Sequence, residues 1–97
     1  MPLSPYVRRK LVVLCKSEKA GDEVADAIDT GTAGSTISAF AKDKLANGIG
    51  NQIACNDFVT KVQSGGSMSD LTKRRLNIAF AAKTVVDQMQ TAISAYV

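Results

Sequence analysis

Histidine is missing from all 97 residues, and with it the commonest general acid or base at neutral pH and the commonest neutral metal ligand. That argues against an enzyme and against a zinc site. Tryptophan is also absent and the aromatics number only five, Tyr6, Phe40, Phe58, Phe80 and Tyr96, so Ala, Val, Ile and Leu must fill the interior. Both prolines lie within the first five residues. Cysteine occurs twice, at Cys15 and Cys55, each among apolar neighbours and without a Cys-x-x-Cys pair, which reads as two buried thiols. Apolar runs stop at five residues, as in Ile78 to Ala82, far short of the roughly 18 of a membrane span. The five apolar residues after Arg8-Arg9-Lys10 are too few for the core of an export signal, and no small-residue cleavage site follows.

What is present suits a single small helical domain over residues 1–97, soluble and with a thin core, 45% of the residues being hydrophobic. Ser4-Pro5 is a helix-start signal, and Val7, Leu11, Leu14 and Cys15 recur on one face of a first helix from about Pro5 to Lys16. A strand over Lys10 to Cys15 is the alternative. Ser17 to Gly21 reads as a break or kink before a short acidic helix, Asp22 to Asp29. Ser35 is placed to cap a third helix carrying Ile37, Phe40, Ala41 and Leu45, closed by Asn47-Gly48. Ile53, Cys55, Phe58, Val59 and Val62 outline a fourth, less regular helix, and Ser67 to Asp70 supplies a capping box for the next. No internal repeat is evident.

From Ser69 to Val97 there is no Gly or Pro, which predicts one long C-terminal helix as the spine of an all-α bundle of four or five helices. Leu71, Ile78, Ala82, Val85, Met89, Ala92 and Tyr96 form a seam with four-three spacing. Leu76 and Phe80 fall on nearly the opposite side, so the helix is either central or shared with a neighbour. The apolar end at Ile93, Tyr96 and Val97 favours sharing, since unanchored ends fray. Leu76, Phe80, Met89, Ile93, Tyr96 and Val97 are therefore the candidate partner interface, with another protein or a second copy as occupant.

Charge runs basic, acidic, basic: five cations and one carboxylate in residues 1–20, four carboxylates in 21–30, five cations and two carboxylates in 61–97. The triplets Arg8-Arg9-Lys10 and Lys73-Arg74-Arg75 are candidates for contacts with phosphate or an acidic partner. Docking on Asp22, Glu23, Asp26 and Asp29 within the chain is the structural alternative. A net charge of +3 and the lack of an aromatic stacking platform make nucleic acid the secondary reading. No nucleophile–base pair, phosphate loop, metal site or cofactor site can be assembled.

The segment Leu3-Ser4-Pro5-Tyr6-Val7-Arg8-Arg9-Lys10-Leu11-Val12-Val13-Leu14, followed by Ala20 to Asp29, resembles the start of small accessory structural proteins of tailed bacteriophages. The likeness spans residues 3–29. It implies a non-catalytic virion role, as capsid cement, decoration or head–tail component, made in the host cytoplasm and present as an oligomer or bound to other virion proteins. The alternative is a small helical nucleic-acid-binding regulator using the two basic triplets.

Overall fold

Helices here begin where a side chain takes over a backbone donor that the first turn leaves orphaned. A computed structural model describes residues 3–97, which form six helices: α1 (Pro5–Cys15), α2 (Glu18–Asp29), α3 (Ala39–Ile49), α4 (Gln52–Ser64), α5 (Asp70–Phe80) and α6 (Lys83–Ser94). Ser4, Ser17, Ser38, Asn51 and Ser69 cap the first five, each side-chain oxygen accepting the amide three residues on. Only α6 begins without such a cap, at Ala82.

The six helices are three copies of one hairpin. The leading helices α1, α3 and α5 each span 11 residues, and each starts at a serine with φ −66° and ψ near 157°. Each ends in a left-handed residue, Lys16, Gly50 or Ala81, followed by an extended one, Ser17, Asn51 or Ala82, which opens the second helix. Two residues thus reverse the chain three times in the same way.

Burial follows the same register. Seven residues after each capping serine stands a fully buried leucine, Leu11, Leu45 and Leu76, and before each serine a buried apolar residue, Leu3, Ile37 and Met68. On the second helices Val24, Phe58 and Met89 match, as do Ile28, Val62 and Ile93, all within one core. Burying a side chain of this size is worth about 1.5–3 kcal/mol, so equivalent positions hold each hairpin to the centre.

Polar side chains join the hairpins into a ring. Glu23 of α2 accepts the N–H of Ser38 at 2.6 Å and its hydroxyl at 2.8 Å. Asp57 of α4 accepts the N–H of Ser69 at 3.0 Å. Gln88 of α6 accepts the N–H of Ser4 at 2.6 Å. These three acceptors occupy the same hairpin position, and each holds the cap of the following hairpin, the last returning to the first. Within each hairpin a second bond ties the residue before the serine: Leu3 to Asp29, Ile37 to Gln63, and Met68 to Gln90.

Several expectations are corrected. The long C-terminal helix is two helices, because Ala81 turns left-handed at φ 55° and Ala82 is extended. The break needs no Gly or Pro. It also rotates the apolar face: Leu71 and Ile78 of the expected seam point to solvent, whereas Leu76 and Phe80 are buried with Val85, Met89 and Ala92. The bundle accordingly has six helices instead of four or five, and the chain does carry an internal repeat. Ser38 caps α3 where Ser35 was expected, leaving Ile37 just outside the helix. Gly21 lies within α2, and Gly48 in the last turn of α3, one residue before its end at Ile49, and both are glycine for a packing reason. A Cβ on Gly21 would sit 2.5 Å from Val12 Cα, and one on Gly48 2.5 Å from the Leu14 carbonyl oxygen. Backbones touch there, between α1 and α2 and between α1 and α3.

Candidate binding surface at the converging ends of three helices

Helices α1, α3 and α5 finish at the same end of the molecule. Leu14 and Lys16 from α1 and its cap, Asn47 and Gly48 from α3, and Ala79 and Phe80 from α5 line one depression of about 270 Å³, together with Lys10 and Val13. Leu14, Gly48 and Ala79 occupy one hairpin position, so the floor is where the three copies meet. Beside it lies a second depression of about 200 Å³, which shares Leu14, Lys16, Asn47 and Gly48 and adds Cys15 and Lys44.

The lining is cationic and apolar. Lys10, Lys16 and Lys44 face these depressions, and no carboxylate lines either. By contrast, the cleft between α1 and α2 is lined by Arg8 and Arg9 together with Glu18 and Asp22, and the one between α3 and α4 by Lys42 together with Asp43. Among the described residues the ion pairs are Arg8 with Asp26 and Asp29, each at 2.6 Å, and Lys83 with Asp87 at 3.0 Å. Lys10 and Lys44 instead lie over the rings of Tyr6 and Phe40, four residues earlier in their helices, at 5.6 and 5.5 Å. Those ring positions are themselves equivalent, and their third member is Leu71.

Two aliphatic side chains stand out at this end. Val13 is 62% exposed and Ile78, the neighbour of Ala79, is 68% exposed. They too are equivalent positions, and their counterpart in the middle hairpin is Asn47.

Both thiols are buried, Cys15 in the lining of the second depression. Burial, then the neighbouring Cys55, pushes the Cys15 thiol up to about 11 against the opposing pull of Lys44. Burial also raises Cys55, and both cysteines are free and buried, as the sequence suggested. Asp57 is partly desolvated, which alone would raise it. The Ser69 N–H, the Thr72 hydroxyl at 2.7 Å and Lys61 outweigh that and hold it below the usual carboxylate range. Tyr96 donates its hydroxyl to the Val62 carbonyl at 2.7 Å, and its burial, with Asp29 nearby, raises its pKa.

The residues singled out from sequence separate into three groups. Leu76, Met89 and Ile93 are closed inside the chain's own core, and Phe80 is buried with only an edge reaching the depression. Tyr96 is half-buried against the end of α4, and Val97 is exposed while its N–H reaches the Gly31 carbonyl at 3.0 Å. Of the basic triplets, Arg8 is held by the acidic α2, as the docking alternative required. Arg9, Lys10, Lys73, Arg74 and Arg75 have no carboxylate within ion-pair distance among the described residues. Sequence reasoning missed Val13, Lys16, Lys44 and Asn47. The spacing Ser-x-x-x-basic-x-basic-Leu at Ser4, Ser38 and Ser69 would have found the hairpins, and the hairpins would have aligned these positions.

Comparison of the chain with protein-family models, curated proteins and solved structures finds no match. Among the described residues no helix is long and apolar enough to cross a membrane.

Proposed function

We propose that this chain is a non-catalytic assembly protein that acts through contacts with other proteins or with further copies of itself, as a cement, decoration or head–tail accessory component of a bacteriophage particle. What supports the reading is how the side chains divide their tasks. The acceptors Glu23, Asp57 and Gln88 hold caps between hairpins, and Asp29, Gln63 and Gln90 hold backbone within them. What faces outward is charged side chains of both signs, with Tyr6, Phe40 and the aliphatic residues Val13, Ile53, Leu71, Ile78 and Val97 among them. Such a surface is equipped to bind rather than to react. The virion setting rests on the resemblance of residues 3–29. Size-exclusion chromatography with light scattering, alone and with purified particles, followed by mass spectrometry of those particles, tests it. A strictly monomeric protein absent from every particle fraction sinks the proposal.

One observation favours a nucleic-acid-binding regulator as the second reading: Lys73, Arg74 and Arg75 follow one another on α5 without an ion pair among the described residues. Duplex DNA binding that weakens steeply with added salt and vanishes on reversing those charges would select it.

A further inference from the structure

We propose that the end of the bundle where α1, α3 and α5 converge is a docking surface for an acidic protein segment carrying apolar anchors. The inference rests on the assembly reading in taking a protein as partner, and it names the site and the chemistry of what binds there.

The three hairpins supply their own control. Val13 and Ile78 share a position with Asn47, and Asn47 shows that the hairpin folds with a polar residue there. Folding therefore does not demand the two exposed aliphatics, and water disfavours them. Val13 lines the depression of about 270 Å³ that has Leu14, Gly48 and Ala79 as its floor, and Ile78 adjoins Ala79 on α5. Docking an apolar residue on this ground removes both partners' surfaces from water, the usual source of an interface's central energy.

Charge then selects the partner. Lys10, Lys16 and Lys44 surround the floor with no carboxylate beside them, so a segment with spaced Asp or Glu side chains complements the rim. A nucleic-acid backbone fits less well. Three helix C-termini meet at this end, and their carbonyl dipoles present partial negative charge at the centre, where a dense phosphate chain would have to lie. Carboxylates reaching outward to the lysines while an aliphatic or aromatic side chain occupies the centre avoid that conflict.

The experiment uses the full chain labelled with nitrogen-15 and three probes: a short synthetic peptide alternating Glu with Leu and Phe, a poly-glutamate peptide of equal charge, and a short DNA duplex. The mixed peptide should shift the amide signals of Val13, Lys16, Asn47 and Ile78 and bind at least about tenfold more tightly than poly-glutamate. Val13→Asn with Ile78→Asn should remove that advantage without changing the thermal midpoint. Lys10→Glu with Lys44→Glu should weaken both peptides, so a second variant remains should either pair disturb folding. Equal binding of the two peptides, shifts mapping elsewhere, or no binding at all overturns the docking surface. Peptide binding at another face leaves the assembly reading standing, whereas DNA binding alone removes both.

Discussion

The side-chain carbonyl of Gln88 accepts the backbone N–H of Ser4 at 2.6 Å, joining the last helix to the first cap across 84 positions of chain. Glu23 with Ser38 and Asp57 with Ser69 make the same contact between successive hairpins. A neutral amide serves where the other two links use carboxylates, and all three satisfy a donor that precedes the helix it starts.

Gln88→Ala leaves the half-buried Ser4 N–H without its acceptor. The expected cost is about 1–2 kcal/mol, read from the urea midpoint, while Gln88→Glu should retain most of the stability. An unchanged midpoint in the alanine variant would show that the ring closes without this bond.

Leu3 and Val97, the first and last described residues, lie against one short segment, Leu3 donating its N–H to Asp29 and Val97 to the Gly31 carbonyl. Joining them with a flexible linker and reopening the chain between the exposed Gly66 and Ser67 keeps every inter-hairpin cap. The permuted protein should melt cooperatively, about 1–2 kcal/mol less stable, a fall of roughly 5–15 °C in Tm. Loss of the cooperative transition would count against the cyclic arrangement.

Gly50-Asn51 is the best of the three reversals, since glycine adopts the left-handed conformation freely and asparagine caps. Ala81-Ala82 does neither. Grafting Gly and Asn onto it, Ala81→Gly with Ala82→Asn, should therefore stabilise the fold by about 1–2 kcal/mol in chemical denaturation. Destabilisation would mean that these methyl groups contribute more through packing than they cost in backbone strain and a missing cap.

Asp57 is held below the usual carboxylate range when folded, so it binds its proton less readily in the native state than in the unfolded one. Its contribution is present above the ordinary carboxylate pKa and is lost as pH falls through the lowered folded value. Asp57→Asn should flatten the acid side of the stability–pH curve relative to the parent. Parallel curves for the two proteins would contradict that assignment.

Ser4-Pro5 placed α1 because cap and period coincide there; the box at Ser67 to Asp70 set the start of α5 two residues before its actual cap, Ser69, and Ile53 to Val62 marked α4 by apolar spacing alone, without its cap Asn51. The break at Ala81 was not legible, because alanine is the strongest helix former and strain at a left-handed alanine is imposed by the packing of Phe80 and Val85 into one core. The repeat escaped notice for a related reason. Val24, Phe58 and Met89 do one job with three different shapes, so the copies agree in burial while differing in identity. Of the interface residues inferred from the C-terminal segment, Leu76, Phe80, Met89 and Ile93 turn inward, whereas Tyr96 is half-buried and Val97 exposed. Of the basic triplets, Arg8 is taken by Asp26 and Asp29, while the other five cations carry no ion pair among the described residues.

An open array of helical repeats can lengthen by stacking another unit on its last one. Here Gln88 and Ser4 occupy the contacts that a further hairpin would need, so the three described hairpins close on one another instead of presenting an open stacking face. Contacts between such closed rings would run through their outer faces, whose directions would set the geometry of whatever they build.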